Sequence, residues 1–157
     1  MKYTLTLIVA FLLTSCGASY QANQVEKEFK GDWILESVTY PDSSGLFDVE
    51  LFNVADASCF DNSTWKFIPN NSTGSFILDG NDCTKTEQQF TWYIDKATAQ
   101  NINPEMLLKV ITGQKARKVD IGTRIKIKSL LADQMIWEQS VMFNGKQIKI
   151  LMTFSKF

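Results

Sequence analysis

Histidine is absent from all 157 residues. With it go the commonest general base, the commonest neutral metal ligand and every catalytic triad built on imidazole. Charge of one sign is lacking too, because 16 Lys and Arg stand against 17 Asp and Glu, a formal net charge of −1. Without a basic or acidic run there is no electrostatic footprint for nucleic acid. No G-x-S-x-G, G-x-G-x-x-G or P-loop spacing occurs, so neither a nucleophile elbow nor a phosphate cradle is written here. The chain reads as no enzyme, with no cofactor and no metal. What it does hold is 45% hydrophobic residues, with eleven Phe and four Trp, enough for one domain with a real core.

The first residues are a targeting segment. Lys2 is a positive flank, and residues 5–13 are an apolar run well short of the roughly twenty residues that cross a bilayer. Leu13-Thr14-Ser15-Cys16 follows and resembles a bacterial lipobox. The resemblance implies a diacylglyceryl thioether on Cys16, cleavage before it, and N-acylation of the new terminus. Residues 1–15 are then a signal peptide and residues 16–28 a lipidated tether and short helix. Cys16 aside, Cys59 and Cys83 remain, and in an oxidising envelope they are expected to pair. A metal is the rival, but two cysteines without histidine make a poor zinc shell.

Gly17 to Ala22 shows no period and reads as a flexible tether; a dozen such residues reach about 20 Å. Asn23-Gln24-Val25-Glu26 has the spacing of an N-cap with its reciprocal glutamate, and Gly31 is a natural stop, so a short helix is expected between them. From there short strands alternate with turns. The first is expected over residues 32–40, although its alternation is too mixed to assign an inward face. Others are expected over 47–52, 63–68, 75–79, 89–95 and 106–112. Pro69 to Gly74 is a hairpin turn in which Asn and Gly can take positive φ. Asp79-Gly80-Asn81-Asp82 lacks the ligand series of a calcium loop and reads as a turn. The last third is the clearest: Ile121, Thr123, Ile125 and Ile127 alternate with charges, 134–143 follows, and Asn144-Gly145 turns the chain into Ile148, Ile150, Met152 and Phe154.

Such a pattern predicts an all-β domain over residues 29–157, an eight- to nine-stranded antiparallel up-and-down barrel with a short N-terminal helix. Gly31-Asp32-Trp33 at the start of the first strand resembles the G-x-W signature of lipocalins. Leu51-Phe52-Asn53, Ser58-Cys59, Ser63 to Asn71, Gly74-Ser75, and the ending from Ile127 through Phe154 are similar to lipocalin-like lipoproteins of Bacteroidota. What that implies is a small calyx, with Gly31 and Trp33 structural at its closed end. In lipocalins an arginine of the last strand covers the tryptophan. Here Arg117 and Arg124 precede that strand, leaving a lysine such as Lys156 to serve.

Trp65, Phe76, Trp92 and Trp137 are the candidates to line a ligand pocket, since aromatics offer large rigid apolar surfaces. The expected function is a binding protein anchored to the bilayer by its acyl chains, on the outer membrane and facing the periplasm, since the acidic cluster of surface-exported lipoproteins is missing after Cys16. Its ligand would be small and apolar or amphipathic. The alternative is a barrel filled by its own side chains, acting as an envelope interaction module with a protein partner.

Overall fold

In the computed structural model, residues 17–42, 49–79, 83–111 and 113–157 are described. The segments expected to be the signal peptide, Cys16 and most of the Asp79 to Asp82 turn lie outside them. Ten strands are present among the described residues: β1 (Gly31–Thr39), β2 (Glu50–Leu51), β3 (Ala55–Asp56), β4 (Thr64–Ile68), β5 (Thr73–Ile77), β6 (Glu87–Ile94), β7 (Glu105–Val110), β8 (Thr123–Leu130), β9 (Gln134–Phe143) and β10 (Lys146–Lys156). Eight of them close an antiparallel barrel in the order β1-β10-β9-β8-β7-β6-β5-β4, while β2 and β3 pair separately. Closure leaves the barrel without an unpaired edge.

Inward positions follow the period of two. Ile148, Ile150, Met152 and Phe154 of β10 are all buried, and they face Val141, Gln139, Trp137 and Met135 across β9. Asn144 and Gly145 make the turn with φ of 48° and 75°, both in the region a tight primed hairpin demands. In β1 the alternation breaks for a physical reason. The register slips between Leu35 and Ser37, so Glu36 is a bulge residue, and Val38 rather than Ser37 regains the inward face opposite Met152.

Two expectations about the N-terminal part are corrected. Residues 17–28 form one helix, α1, so Gly17 to Ala22 is not a flexible tether and Asn23 is not the cap but an exposed mid-helix residue. Ala18, Ala22, Val25 and Phe29 recur at helical spacing; Ala22 and Phe29 are buried and Val25 packs against the core. Alanine is the best helix former, and tertiary packing of this stripe decides the rest. Glu26 does not reach back to a cap. Its Oε1 accepts the Ile94 N–H at 3.0 Å, tying α1 to the end of β6. No helix among the described residues is long and apolar enough to cross a membrane.

The Pro69 to Gly74 turn also differs. Pro69–Asn71 is a 3-10 turn, and positive φ falls on Ser72, at 53°. Gly74 lies inside β5, where a Cβ would collide with the Phe90 ring and the Lys66 carbonyl. Of the strand expected over 47–52, residues 47 and 48 lie outside the described residues, Glu50–Leu51 is strand, and Phe52 and Asn53 at φ of 56° and 54° turn the chain back into β3.

Candidate ligand site in the barrel

The two ends of the barrel are stopped by different segments. At one, α1 delivers Phe29 into the interior, where its ring meets Trp92 at 5.1 Å and Phe67 at 5.4 Å. Trp33 Nε1 donates to the Phe29 carbonyl at 2.9 Å, and the Lys156 ammonium stands 5.0 Å above the Trp33 ring, a cation–π contact. Gly31, at φ of 125°, leaves the room: a Cβ there would come within 2.8 Å of Lys156 Cε.

The other end is covered by a lid, residues 49–63, made of the β2–β3 pair and the 3-10 turn Ala57–Phe60. Phe60 and Phe52 plug it, with rings 5.5 Å and 6.4 Å from Phe76. Cys59 and Cys83 form a disulfide, Cα atoms 5.7 Å apart, which fastens the lid to the β5–β6 connection as the cysteine count predicted. Ser63, fully buried, donates to the Phe60 carbonyl at 2.6 Å and accepts Trp65 Nε1–H at 2.9 Å. A groove of about 540 Å³ beside this lid runs past the disulfide, and there Glu50 and Asp56 stand opposite each other across the β2–β3 pair.

Between the two stoppers, the sequence-named aromatics come together. Trp65 stacks on Phe76 at 4.4 Å and meets Trp137 edge-on at 5.6 Å. Phe67 bridges Trp92 and Trp137 at 5.3 Å and 5.9 Å. All four candidates are buried and pack into one another, filling the middle of the barrel. Trp92 Nε1 donates to the Thr73 carbonyl at 3.0 Å.

Among the described residues three buried side-chain atoms lack a hydrogen-bond partner: Asp61 Oδ1 in the lid and two on β9. Trp137 Nε1 and, two residues on along the same face of β9, Gln139 Oε1 are buried without a hydrogen-bond partner in the protein. Gln139 is only 9% exposed, beside fully buried Ile150. An unpaired buried donor or acceptor costs about 1–3 kcal/mol, so each asks for a reason. Towards the lid, the inner wall on this side also becomes accessible. Leu108, Ile125 and Ile150 are fully buried, whereas Val38, Tyr40, Val110 and Val141 are only partly so. This rim of β1, β7, β9 and β10 was missed by a reading that looked for aromatics. The available signal was Gln139 itself, a polar residue in the inward register of Met135, Trp137 and Val141.

Asp95, held below the ordinary carboxylate value by Arg124 and by the Ala97 N–H, lies outside the barrel, where Arg124 Nη1 bridges Asp95 and Glu105 at 2.9 Å each.

Compared with known families, residues 29–137 match the model of the lipocalin-like domain. The match ends within β9, and β10 then completes the closed sheet. No curated protein matches the chain.

Proposed function

The chain belongs to the lipocalin-like domain family, and from that premise we propose that it is a lipid-anchored binding protein of the bacterial envelope that holds a small apolar or amphipathic ligand at the rim of its barrel. The observation that carries this reading is the contrast along the inner wall. The middle is filled with rings in contact, while Val38, Tyr40, Val110 and Val141 remain partly open above an unpaired Gln139 Oε1 and Trp137 Nε1. A ligand seated there lies on an aromatic floor, with its apolar body against the valines and a polar group near Gln139. Burying about 250 Å² of apolar ligand surface at about 25 cal/mol per Å² is worth ~6 kcal/mol, a Kd of tens of micromolar before ordering costs. The anchor is supported by the Leu13 to Cys16 tetrapeptide behind a short apolar run.

The filled aromatic middle favours a second reading, an interaction module that takes up no ligand. Native mass spectrometry of the protein extracted from envelopes separates the two. A stoichiometric adduct is expected, reduced about tenfold in Val141→Trp, which blocks the rim with a ring worth more than 1.4 kcal/mol of lost affinity. A clean apo mass, with no thermal shift across a panel of lipids and small metabolites, would sink the binding reading.

A further inference from the structure

We propose that the helix end of the barrel is a membrane-docking face, which lies against the bilayer and inserts Ile102 and Leu131 at the headgroup boundary. The proposal rests on acylation of Cys16. Residue 17, the residue after that cysteine, already lies within α1, so no flexible spacer separates anchor from domain. A coil of a dozen residues would let the barrel float about 20 Å away. Here the helix is fixed to the barrel along its length, through buried Ala22 and Phe29 and the bond from Ile94 N–H to Glu26. Its first described residue, Gly17, is also close to the β6–β7 connection, with Gln100 Nε2 3.9 Å from where a Cβ would stand. The acyl chains therefore emerge beside the connection that carries Ile102.

The surface at that end is shaped for such a neighbour. Among the described residues, eight large apolar side chains stand exposed. Six of them, Tyr20, Ile68, Tyr93, Ile102, Leu131 and Phe157, lie on α1 or at the helix end of the sheet, against Ile121 and Met142 towards the lid end. Ile102 is 96% exposed and Leu131 56%. The two connections that bear Ile102 and Leu131 flank β8, whose Ile127 N–H donates to the Pro104 carbonyl at 2.9 Å. The turn after Leu131 in turn accepts the Lys156 N–H, at Asp133 O, next to Phe157. This end thus carries two apolar tips, Ile102 and Leu131, on neighbouring connections. Lys27, Lys30 and Lys128 share this end with Glu28 and Asp133, so net charge does not decide the contact; the apolar tips do, as in interfacial binding generally. Docked this way, the protein turns its lid and ligand rim away from the bilayer, into the aqueous compartment.

The test uses the acylated protein reconstituted in vesicles of phosphatidylethanolamine and phosphatidylglycerol doped with spin-labelled lipid. A fluorophore is placed on Ile102→Cys, on Leu131→Cys and, at the opposite end, on Met142→Cys. Quenching at the first two positions is expected to exceed that at the third by about threefold or more. Ile102→Asp combined with Leu131→Asp alters exposed tips alone and should leave thermal stability unchanged, while a fluorophore on Tyr93→Cys, exposed at the end of β6, loses its quenching in that background. Equal quenching at both ends of a protein whose Cys16 peptide carries the acyl mass would overturn docking and leave the anchor standing. A Cys16 peptide without acyl mass would overturn both. Shielding of Ile102→Cys without lipid quenching, in a protein that sediments as a dimer, would overturn docking in favour of a second copy.

Discussion

The helix end and the lid end of the barrel are both stopped by aromatic side chains, but they are held in opposite ways. At the helix end the stopper's own contacts are local and relaxed, the positive φ of Ser72 lying in the β4–β5 turn beside it: Phe29 follows directly from α1, and Trp33, four residues later, bonds back to its carbonyl. The lid is a long excursion between β1 and β4, and its backbone is costly. Phe52, Asn53 and Asn62 all sit at positive φ, a conformation that is uncommon for asparagine and an outlier for phenylalanine. A disulfide then secures it. The comparison teaches that the helix end is part of the folding core, whereas the lid is a closed part kept shut by a covalent tie, beside the partly open rim.

The sharpest way to break that contrast is to remove the ring at the relaxed end. Trp33→Ala deletes a fully buried indole, the bond to Phe29 and the seat of Lys156. A loss of about 4 kcal/mol is expected for a large-to-small change of this kind, read as a lower urea midpoint with an unchanged m-value. If the loss were under about 1 kcal/mol, the helix end would not be the core that the comparison requires.

The lid should respond with a smaller and more local change. Cys59→Ser with Cys83→Ser releases a constraint spanning 24 residues, about 3.5 kcal/mol on the loop-entropy account, less whatever order the lid keeps in the unfolded chain. The distinguishing readout is native-state hydrogen exchange. Faster exchange is expected over residues 49–63 and 83–86, with α1 and β10 protected as before. Acceleration reaching α1 would show that the two ends melt as one unit.

How much of this was legible in the sequence depended on whether one local rule acted alone. β9 and β10 were, because Ile148, Ile150, Met152 and Phe154 keep a strict period of two and Asn144-Gly145 fits its turn without compromise. β1 was not, because the bulge at Glu36 shifts the period midway. The helical stripe of Ala18 and Ala22 was hidden by its small side chains, which carry little hydrophobic signal until the barrel end they pack on is known. Gly74 looked like a turn residue and is a packing one, a distinction only the Phe90 ring across β6 can make. The site divides in the same way. Tryptophans scattered from Trp65 to Trp137 meet only through closure of the sheet, and the rim valines are ordinary strand residues until the lid leaves them partly open. Lys156 over Trp33 was the exception, readable because the arginine expected there has no counterpart in β10.

The smallest expected effect concerns the outer brace of the helix end. Arg124 holds Asp95 and Glu105 at 2.9 Å each, bracing the β6–β7 connection to β8, whereas the lid end has the separate exposed pairs Lys149 with Asp42 and Lys85 with Asp79, at 3.2 Å each. The hydrogen bond from Arg124, followed by that from the Ala97 N–H, lowers the Asp95 pKa below its ordinary 3.8. A carboxyl whose folded pKa is depressed binds its proton more readily in the unfolded chain. Its contribution is therefore present above 3.8 and is lost as pH falls through the depressed folded value. Because the group is exposed, solvent screening keeps the effect slight. Carboxyl titration by NMR should find Asp95 below its ordinary value in the native protein and returned towards it in Arg124→Gln, with stability then falling less steeply in acid. An Asp95 that titrates identically in both proteins would remove the brace from the comparison and leave the helix end held by α1 and Trp33 alone.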